Sequence, residues 1–331
     1  MSQKIVWIDN LRALACVMVV IIHATSFQVV NFSAIDTPAW WFANALDSLS
    51  RASVPIFFMI SGALFWGEKS AKPRHFLRIG LCLLFYSAVS LLYILIMTKI
   101  GFWPSFAHIL QKPVFFHLWF FYAIGLIYLL SPFIQVKKVP LPMLLITAVV
   151  AGVLANPQLP AFNLGGFHLL PLNIYITGDA FYYLLYALLG RALATLEMDK
   201  RWQGWVAGGM FLASCALIAL GTQAQSTHNQ NFAETYYVYC GPLVFIAALS
   251  LFVWGKQVLA TVSSSVMAMI SRHSLAIYGF HALVIICLRG KHLDFPQFPL
   301  LNMLYLFACG LGGGLLLGLL LQRVDGRRWV S

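Results

Sequence analysis

Uncharged apolar stretches of about 20 residues recur along the whole chain, and a helix of roughly that length crosses the hydrocarbon core of a bilayer. Ten segments qualify, approximately 13–30, 52–66, 79–98, 117–135, 141–155, 173–190, 202–221, 236–254, 266–288 and 300–321. Only 9% of the residues are charged, too few to cover a water-soluble globule of this size. The sequence therefore predicts an all-α, polytopic integral membrane protein of about ten transmembrane helices. A count of nine or eleven remains open, because the fifth segment is short and the sixth contains Asp179.

Lys and Arg residues are distributed unevenly between alternate loops. In bacterial membrane proteins they concentrate in short cytoplasmic loops. If the N-terminus lies inside, the outer loops contain few of the 21 Lys and Arg, namely Arg51, Lys99, Lys112, Arg289 and Lys291. Both termini are therefore predicted to be cytoplasmic. The same bias explains the net charge of +11, so a nucleic-acid partner is not expected.

The loops between these segments are short, the longest being approximately 31–51, 99–116, 156–172 and 222–235. We therefore expect one membrane domain over residues 1–331, and we expect its chemistry inside the membrane or at its two faces.

Arg12 and His23 lie on the first apolar segment, where an ionisable residue costs roughly 2.5–3.5 kcal/mol on insertion scales. They are eleven residues apart, which at 100° per residue is about 20° more than three full turns, so both side chains point to one side. Their separation of roughly 16 Å places His23 near the middle of the bilayer. Asp9 lies one turn before Arg12 and is able to pair with it. The pair is predicted to mark the two ends of a tunnel. Alternatively, Arg12 is an ordinary cytoplasmic anchor and His23 an interhelical hydrogen-bonding residue.

Other polar side chains also fall within apolar segments. Ser274, Tyr278 and His281 are spaced by four and three residues, which places them on one helix face. His117 and Trp119 open the fourth segment, and Asp179 lies in the outer part of the sixth, where a carboxylate needs a partner or water. Each of these residues could instead be an interfacial or packing residue.

Four stretches of the sequence are motifs that occur together in one protein family. They read IDNLRALACVMVVIIH, VPIFFMISGALF, FHLWFFYAIGLIYLLSP and SRHSLAIYGFH. With these motifs the chain resembles the acyltransferase-3 family of membrane acyltransferases along essentially its whole length. The combination of an Arg and a His separated by ten residues with a following Pro-x-Phe-Phe-x-x-Ser-Gly segment is specific. Within the family, the chain is similar to the O-acetyltransferases that modify enterobacterial common antigen.

The resemblance implies transfer of an acyl group, usually acetyl, from cytoplasmic acyl-coenzyme A to a hydroxyl of a cell-envelope glycan. The expected acceptor is a polysaccharide or lipid-linked glycan, with N-acetylglucosamine residues of enterobacterial common antigen as the narrower expectation. The expected location is the bacterial inner membrane, in contact with its lipids. Arg12 and His23 match the two essential residues of the family, and Ser61 and Gly62 match its Ser-Gly motif.

These expectations define a mechanism in which acetyl-coenzyme A is a substrate and no cofactor is permanently bound. Guanidinium groups bind phosphates through paired hydrogen bonds, so Arg12 and the basic stretch of Lys72, Arg74 and Arg78 are the predicted donor-binding residues. The resemblance adds Ser61 of the Ser-Gly motif to this donor-binding group. His23 is predicted to accept the proton of the sugar hydroxyl or to carry the acetyl group itself.

The remaining candidates concern the acceptor. The predicted acceptor-side residues are Trp119, Asp179, Tyr278 and His281. No metal site is expected, because the histidines are scattered over different segments without ligand spacing.

A transporter or flippase of an envelope lipid or sugar is the main alternative, since it would also place ionisable residues at the midplane. Such a protein would more naturally show internal repeats. A structural or sensory role leaves the geometry of Arg12 and His23 unexplained.

Overall fold

The fold is known from a computed structural model, which describes residues 5–98, 102–109, 111–176, 178–198 and 200–331. The helices are α1 (Val6–Val30), α2 (Thr37–Ser50), α3 (Ser53–Phe65), α4 (Pro73–Met97), α5 (Phe102–Phe106), α6 (Trp119–Leu130), α7 (Leu141–Thr147), α8 (Asp179–Thr195), α9 (Arg201–Asn229), α10 (Pro242–Val258), α11 (Ser265–Gly290) and α12 (Pro299–Val324). Short 3-10 turns at Phe116–Leu118 and Thr235–Tyr237 precede α6 and α10, and α7 continues as a π-helix over Ala148–Leu154. A two-stranded antiparallel hairpin, β1 (Phe162–Leu164) and β2 (Phe167–Leu170), interrupts the otherwise helical chain.

Seven helical stretches in the described part of the chain are long and apolar enough to cross a membrane. They comprise α1, the joint stretch Thr37–Phe65, α4, α9, the stretch Thr235–Val258, α11 and α12. The other three predicted segments contain the shorter helices α6, α7 and α8. A multi-pass helical membrane protein is therefore confirmed, whereas the count of ten and the sides of the termini stay predictions. Lys99, predicted on the outer side, lies outside the described residues.

Residues 31–51 were predicted to be a loop, and this prediction was wrong for most of the segment because α2 lies within it. The Asp36 side chain caps α2 by accepting a hydrogen bond from the backbone N–H of Ala39 at 3.1 Å. Asn44 and Asp47 are buried on the inward face of the helix. Their polarity lowers the hydropathy of the run, which is why an apolar-segment search passes over it.

Helices α1 and α11 lie side by side and run in the same direction. The Arg12 guanidinium is 3.4 Å from the Ser271 hydroxyl, and further along both helices the rings of His23 and His281 are 4.9 Å apart. Residue numbers rise together along the contact, so the pair is parallel. The contact also confirms that Arg12 and His23 face one side of α1.

Helices α3 and α8 meet backbone to backbone. A Cβ atom on Gly62 would lie 1.8 Å from the carbonyl oxygen of Ala187, and one on Gly190 would lie 2.3 Å from that of Met59. Only glycine permits such a close approach, as at the small-residue contacts common between membrane helices. The contact fixes α3, and with it the neighbouring Ser61.

Candidate functional site

A cavity of about 760 Å³ lies at the N-terminal end of α1, between α1, α3, α4, α6 and α11. Its volume falls in the range of roughly 300–1,000 Å³ that is usual for small-molecule sites. We call it the Arg12 cavity. Its ionisable lining residues on α1, α4 and α11 are Asp9, Arg12, His75, Arg78 and Arg272.

The positive charge of the Arg12 cavity exceeds the negative charge. Arg12 Nη1 donates to Asp9 Oδ1 at 2.7 Å, so this pair is neutral as a unit. Arg78 Nη2 donates to the backbone carbonyl of Ser331 at 3.0 Å. Among the described residues, neither Arg78 nor Arg272 forms a salt bridge. The Arg272 guanidinium therefore remains available to an anionic ligand, and the Arg78 guanidinium keeps the N–H donors that the Ser331 contact does not use.

The predicted donor-binding residues divide between the cavity lining and the surface. Ser61 lines the cavity, and its hydroxyl donates to the Phe57 carbonyl at 2.9 Å. Arg78 also lines it, whereas Lys72 and Arg74 are exposed at the start of α4 outside the lining. The structure thus brings Arg12, Ser61 and Arg78 together and leaves the other two predicted cations on the surface.

Aromatic rings line another part of the Arg12 cavity. Phe120 lies 5.8 Å from Phe57 and 5.6 Å from Tyr278 between ring centroids, and all three line the cavity. The Tyr278 hydroxyl donates to the backbone carbonyl of His117. This part of the cavity is therefore apolar and adjoins a group of histidines.

Three histidine rings form a contiguous group beside Tyr278. His281 of α11 lies 4.9 Å from His23 of α1 and 5.5 Å from His117 in the 3-10 turn before α6. Phe116 contacts His23 at 5.3 Å. The sequence pointed to all three histidines separately, but no spacing rule connects His117 to the other two.

The hydrogen bonds of two of these rings fix their tautomers. His281 Nδ1 faces the carbonyls of Ile277 at 3.0 Å and Tyr278 at 2.8 Å, so it bears the proton and Nε2 keeps the lone pair. His117 Nε2 faces the Gly279 carbonyl at 3.2 Å, which leaves the lone pair on Nδ1. Both lone-pair nitrogens are buried, and neither has a partner within the described ranges. The group therefore offers two acceptors for a hydrogen bond or a proton next to His23.

A second cavity of about 320 Å³ lies at the C-terminal end of α1. Ser26, one turn after His23, contributes to its wall, so His23 lies between the two cavities along α1. We call it the Arg51 cavity. Its charged and aromatic lining residues are Asp47, Arg51, Asp179, Tyr183, Phe232, Glu234, Tyr237 and Tyr239.

A buried ion pair forms one wall of the Arg51 cavity. Asp47 Oδ1 lies 2.5 Å from both Nε and Nη2 of Arg51, and Thr25 donates to the other carboxylate oxygen at 3.3 Å. The Arg51 guanidinium stacks 4.0 Å above the Tyr237 ring. Sequence reasoning missed this pair, although its spacing of four residues is that of a helical salt bridge.

The four predicted acceptor-side residues do not share one site. Asp179 is the exposed first residue of α8 and lines the Arg51 cavity. Trp119 lies behind the cavity wall, 5.6 Å from the Tyr183 ring and 6.1 Å from the Tyr239 ring.

Tyr278 and His281 lie elsewhere. Tyr278 lines the Arg12 cavity, and His281 contacts His23. The four candidates are therefore divided between the two cavities and the histidine group.

Comparison with protein families gives one match. The model Acyl_transf_3, described as an acyltransferase domain, matches residues 5–323, a range that includes the three histidines and every lining residue of both cavities. The comparison with curated proteins found no match, and neither did the comparison with solved structures.

Proposed function

Because the chain belongs to the acyltransferase-3 family and is therefore a membrane acyltransferase, we propose that it transfers an acetyl group from acetyl-coenzyme A to a glycan hydroxyl. The observation that carries this proposal is the position of His23 between a cationic cavity and a second cavity at opposite ends of α1. The proposed acceptor is an N-acetylglucosamine residue of an envelope glycan such as enterobacterial common antigen, and the proposed location is the bacterial inner membrane. The motif resemblance supports both this acceptor and this location.

The Arg12 cavity suits a donor with a charged head and a thin, uncharged arm. Arg78 and Arg272 are available for the phosphates of coenzyme A, and Arg12 is held beside them by Asp9. The pantetheine arm then lies along the aromatic lining and brings the thioester to Tyr278, which adjoins the histidines. Lys72 and Arg74 are exposed nearby, where they attract the anionic donor without contacting it in the cavity.

The chemistry is a direct exchange of one ester for another. The acceptor hydroxyl, entering from the Arg51 cavity, attacks the carbonyl carbon of the thioester while His23 accepts its proton. The C–S bond breaks, the thiolate of coenzyme A takes the proton back, and the products are an O-acetyl sugar and free coenzyme A. The unpartnered nitrogens of His281 and His117 lie in the same group of rings as His23, and their lone pairs favour its protonated form electrostatically.

The test is transfer of radiolabelled acetyl from acetyl-coenzyme A to N-acetylglucosamine glycans by the purified protein, with thiol release measured in parallel. His23→Gln retains hydrogen-bonding capacity but accepts no proton, so we expect transfer to fall by about 10²–10⁴-fold while donor binding persists. The matched control is His228→Gln, because His228 is exposed at the end of α9 and lines neither cavity.

Several outcomes would contradict the proposal. Substantial transfer by His23→Gln would leave His23 as a positioning residue. Label on the protein after mixing with donor alone, lost in His23→Gln, would indicate an acetyl-histidine intermediate instead of direct transfer. Movement of the glycan across vesicles without acetylation would favour a carrier.

A further inference from the structure

The charge of the Arg51 cavity bears on which acceptor it admits. Its only cationic lining residue within the described part of the chain is Arg51. That guanidinium is held by two contacts of 2.5 Å to Asp47 and by stacking on Tyr237. Its charge is therefore already neutralised, and the Tyr237 ring covers one of its faces. An anionic ligand entering the cavity would have to compete with a buried carboxylate for it.

Two further carboxylates line the same cavity. Asp179 and Glu234 are both exposed, and neither forms a salt bridge to another described residue. Once the Asp47–Arg51 pair is set aside, they give the cavity a negative charge. Carboxylates accept hydrogen bonds from hydroxyl, amide and ammonium groups and repel other anions.

Aromatic side chains supply the rest of the wall. Tyr183, Phe232, Tyr237 and Tyr239 line the cavity, and Trp119 stacks behind two of them. A cavity of about 320 Å³ with apolar faces and a few hydrogen-bond acceptors suits a small, polyhydroxylated ligand. The C–H face of a sugar ring packs against aromatic surfaces while its hydroxyl groups donate to the carboxylates.

We propose that the Arg51 cavity binds an acceptor sugar that has no negative charge, a neutral or amino sugar, and discriminates against uronic acid and phosphorylated sugars. The proposal rests on the proposed function, because it assigns the substrate class of the same reaction. It also follows that any phosphate linking the acceptor to a lipid lies outside the cavity. Asp179 and Glu234 act as the specificity determinants.

The experiment measures binding and catalysis separately with three soluble probes that differ in charge. These are the methyl glycosides of N-acetylglucosamine, glucosamine and glucuronic acid, which are neutral, cationic and anionic near neutral pH. Binding to the purified full-length protein is measured by titration calorimetry, and acetylation by label transfer. We expect the glucuronide to bind about tenfold or more weakly than the other two at low salt, with the difference shrinking as salt is added.

Variants at Asp179 and Glu234 test whether these two carboxylates cause the weaker binding of the glucuronide. In the double variant Asp179→Asn, Glu234→Gln, we expect the ratio of glucuronide affinity to N-acetylglucosaminide affinity to rise severalfold. The matched control is Glu68→Gln, which removes an exposed carboxylate after the end of α3 and outside the Arg51 cavity lining. It should leave the ratio unchanged.

The outcomes separate the two proposals. Three results would overturn the proposal that the Arg51 cavity discriminates against anionic sugars. They are equal or tighter binding of the glucuronide, no binding of any glycoside, and an unchanged affinity ratio in the double variant. If the neutral glycoside bound selectively but was not acetylated, the proposed function would be overturned, and the proposal that the cavity selects its sugar by charge would stand.

Discussion

The Arg12 cavity and the Arg51 cavity lie at opposite ends of α1, and each contains one Asp–Arg ion pair between residues close in sequence. The charges that remain after this pairing are opposite. Arg78 and Arg272 remain in the first cavity, and Asp179 and Glu234 remain in the second. A single helix thus connects a site suited to a polyanion with a site suited to an uncharged ligand, which is the asymmetry that a coenzyme A donor and a sugar acceptor require.

The two ion pairs also differ in their exposure to water. The side chains of Arg12 and Asp9 are 26% and 24% exposed, whereas those of Arg51 and Asp47 are 16% and 0% exposed. The first pair is accessible to a ligand, and the second is part of the interior. The same pair of residue types is therefore open to a ligand at one end of α1 and largely enclosed by the fold at the other.

The largest expected effect compares the two pairs directly. Asp47→Ala leaves a buried guanidinium without its counter-ion, and we expect a loss of roughly 3–5 kcal/mol in the free energy of unfolding. Asp9→Ala removes a partly exposed partner and should cost only about 0–1 kcal/mol. Denaturant unfolding of both purified variants measures the difference. Equal losses in the free energy of unfolding would show that the two ion pairs do not differ in the way that their burial predicts.

The next effect concerns donor affinity. Arg272→Gln removes an unpaired guanidinium from the Arg12 cavity, and a hydrogen bond to a charged group contributes about 1.5–3 kcal/mol. We expect the KM for acetyl-coenzyme A to rise roughly tenfold or more, whereas the KM for the acceptor should stay the same. Initial-rate kinetics with each substrate varied in turn provide the measurement.

Arg323→Gln is the control for this change, because Arg323 is exposed in the last turn of α12 and does not line the cavity. If both variants raised the donor KM equally, the basic surface as a whole, and not the cavity, would bind the donor.

A smaller effect is expected from a substitution in the histidine group that lies between the two cavities. His281→Asn removes the buried lone pair beside His23, and we expect kcat to fall by up to about tenfold with both KM values retained. The pH–rate profile should shift as well, because the lone pair of His281 no longer lies beside the protonated His23. A change in KM alone would place His281 in a binding site, and an unshifted profile would show that it acts only through packing.

The smallest effect is local and depends on pH. Burial raises the pKa of the Asp325 carboxyl, but backbone N–H donors of Val330, Trp329 and Ser331 outweigh it and leave the pKa below its ordinary value. The C-terminal turn is therefore stabilised above the ordinary pKa of about 3.9, and this contribution is lost as the pH falls through the lowered value.

Hydrogen exchange of the Trp329–Ser331 amides measures this turn. We expect their protection to decrease in acid, with Asp325→Asn showing reduced protection already at neutral pH. Unchanged protection in that variant would mean that the contacts to α4, such as that of Tyr86 with the Val330 carbonyl, hold the turn by themselves.

The helical scaffold and the shared face of Arg12 and His23 follow from the sequence, because hydropathy and the 3.6-residue period depend on one helix at a time. Contacts between helices do not follow in this way. Whether Arg78 or Arg74 lines a cavity depends on how α4 is rotated against α6 and α11. His117 lies in a 3-10 turn whose direction no periodicity specifies.

The longest element that the sequence analysis missed is α2. Its apolar face was visible in the sequence, but Asn44, Asp47 and Ser48 lowered its hydropathy below that of a span. The cap at Asp36 and the spacing of Asp47 and Arg51 were the two signals of a buried polar helix. Hydropathy alone rejects such a helix, because it assumes that buried polar groups have no partners.

The parallel contact of α1 with α11 restricts which insertions and deletions the chain tolerates. One residue inserted between Arg12 and His23 would turn His23 by 100° about the helix axis, away from His281. A second insertion in α11 would not restore the contact, since it would rotate His281 about its own axis as well. Only paired insertions of nearly whole turns keep both faces in register, and these would lengthen the path between the two cavities. In the proposed mechanism, the spacing of Arg12 and His23 therefore sets how far into the membrane the donor must reach.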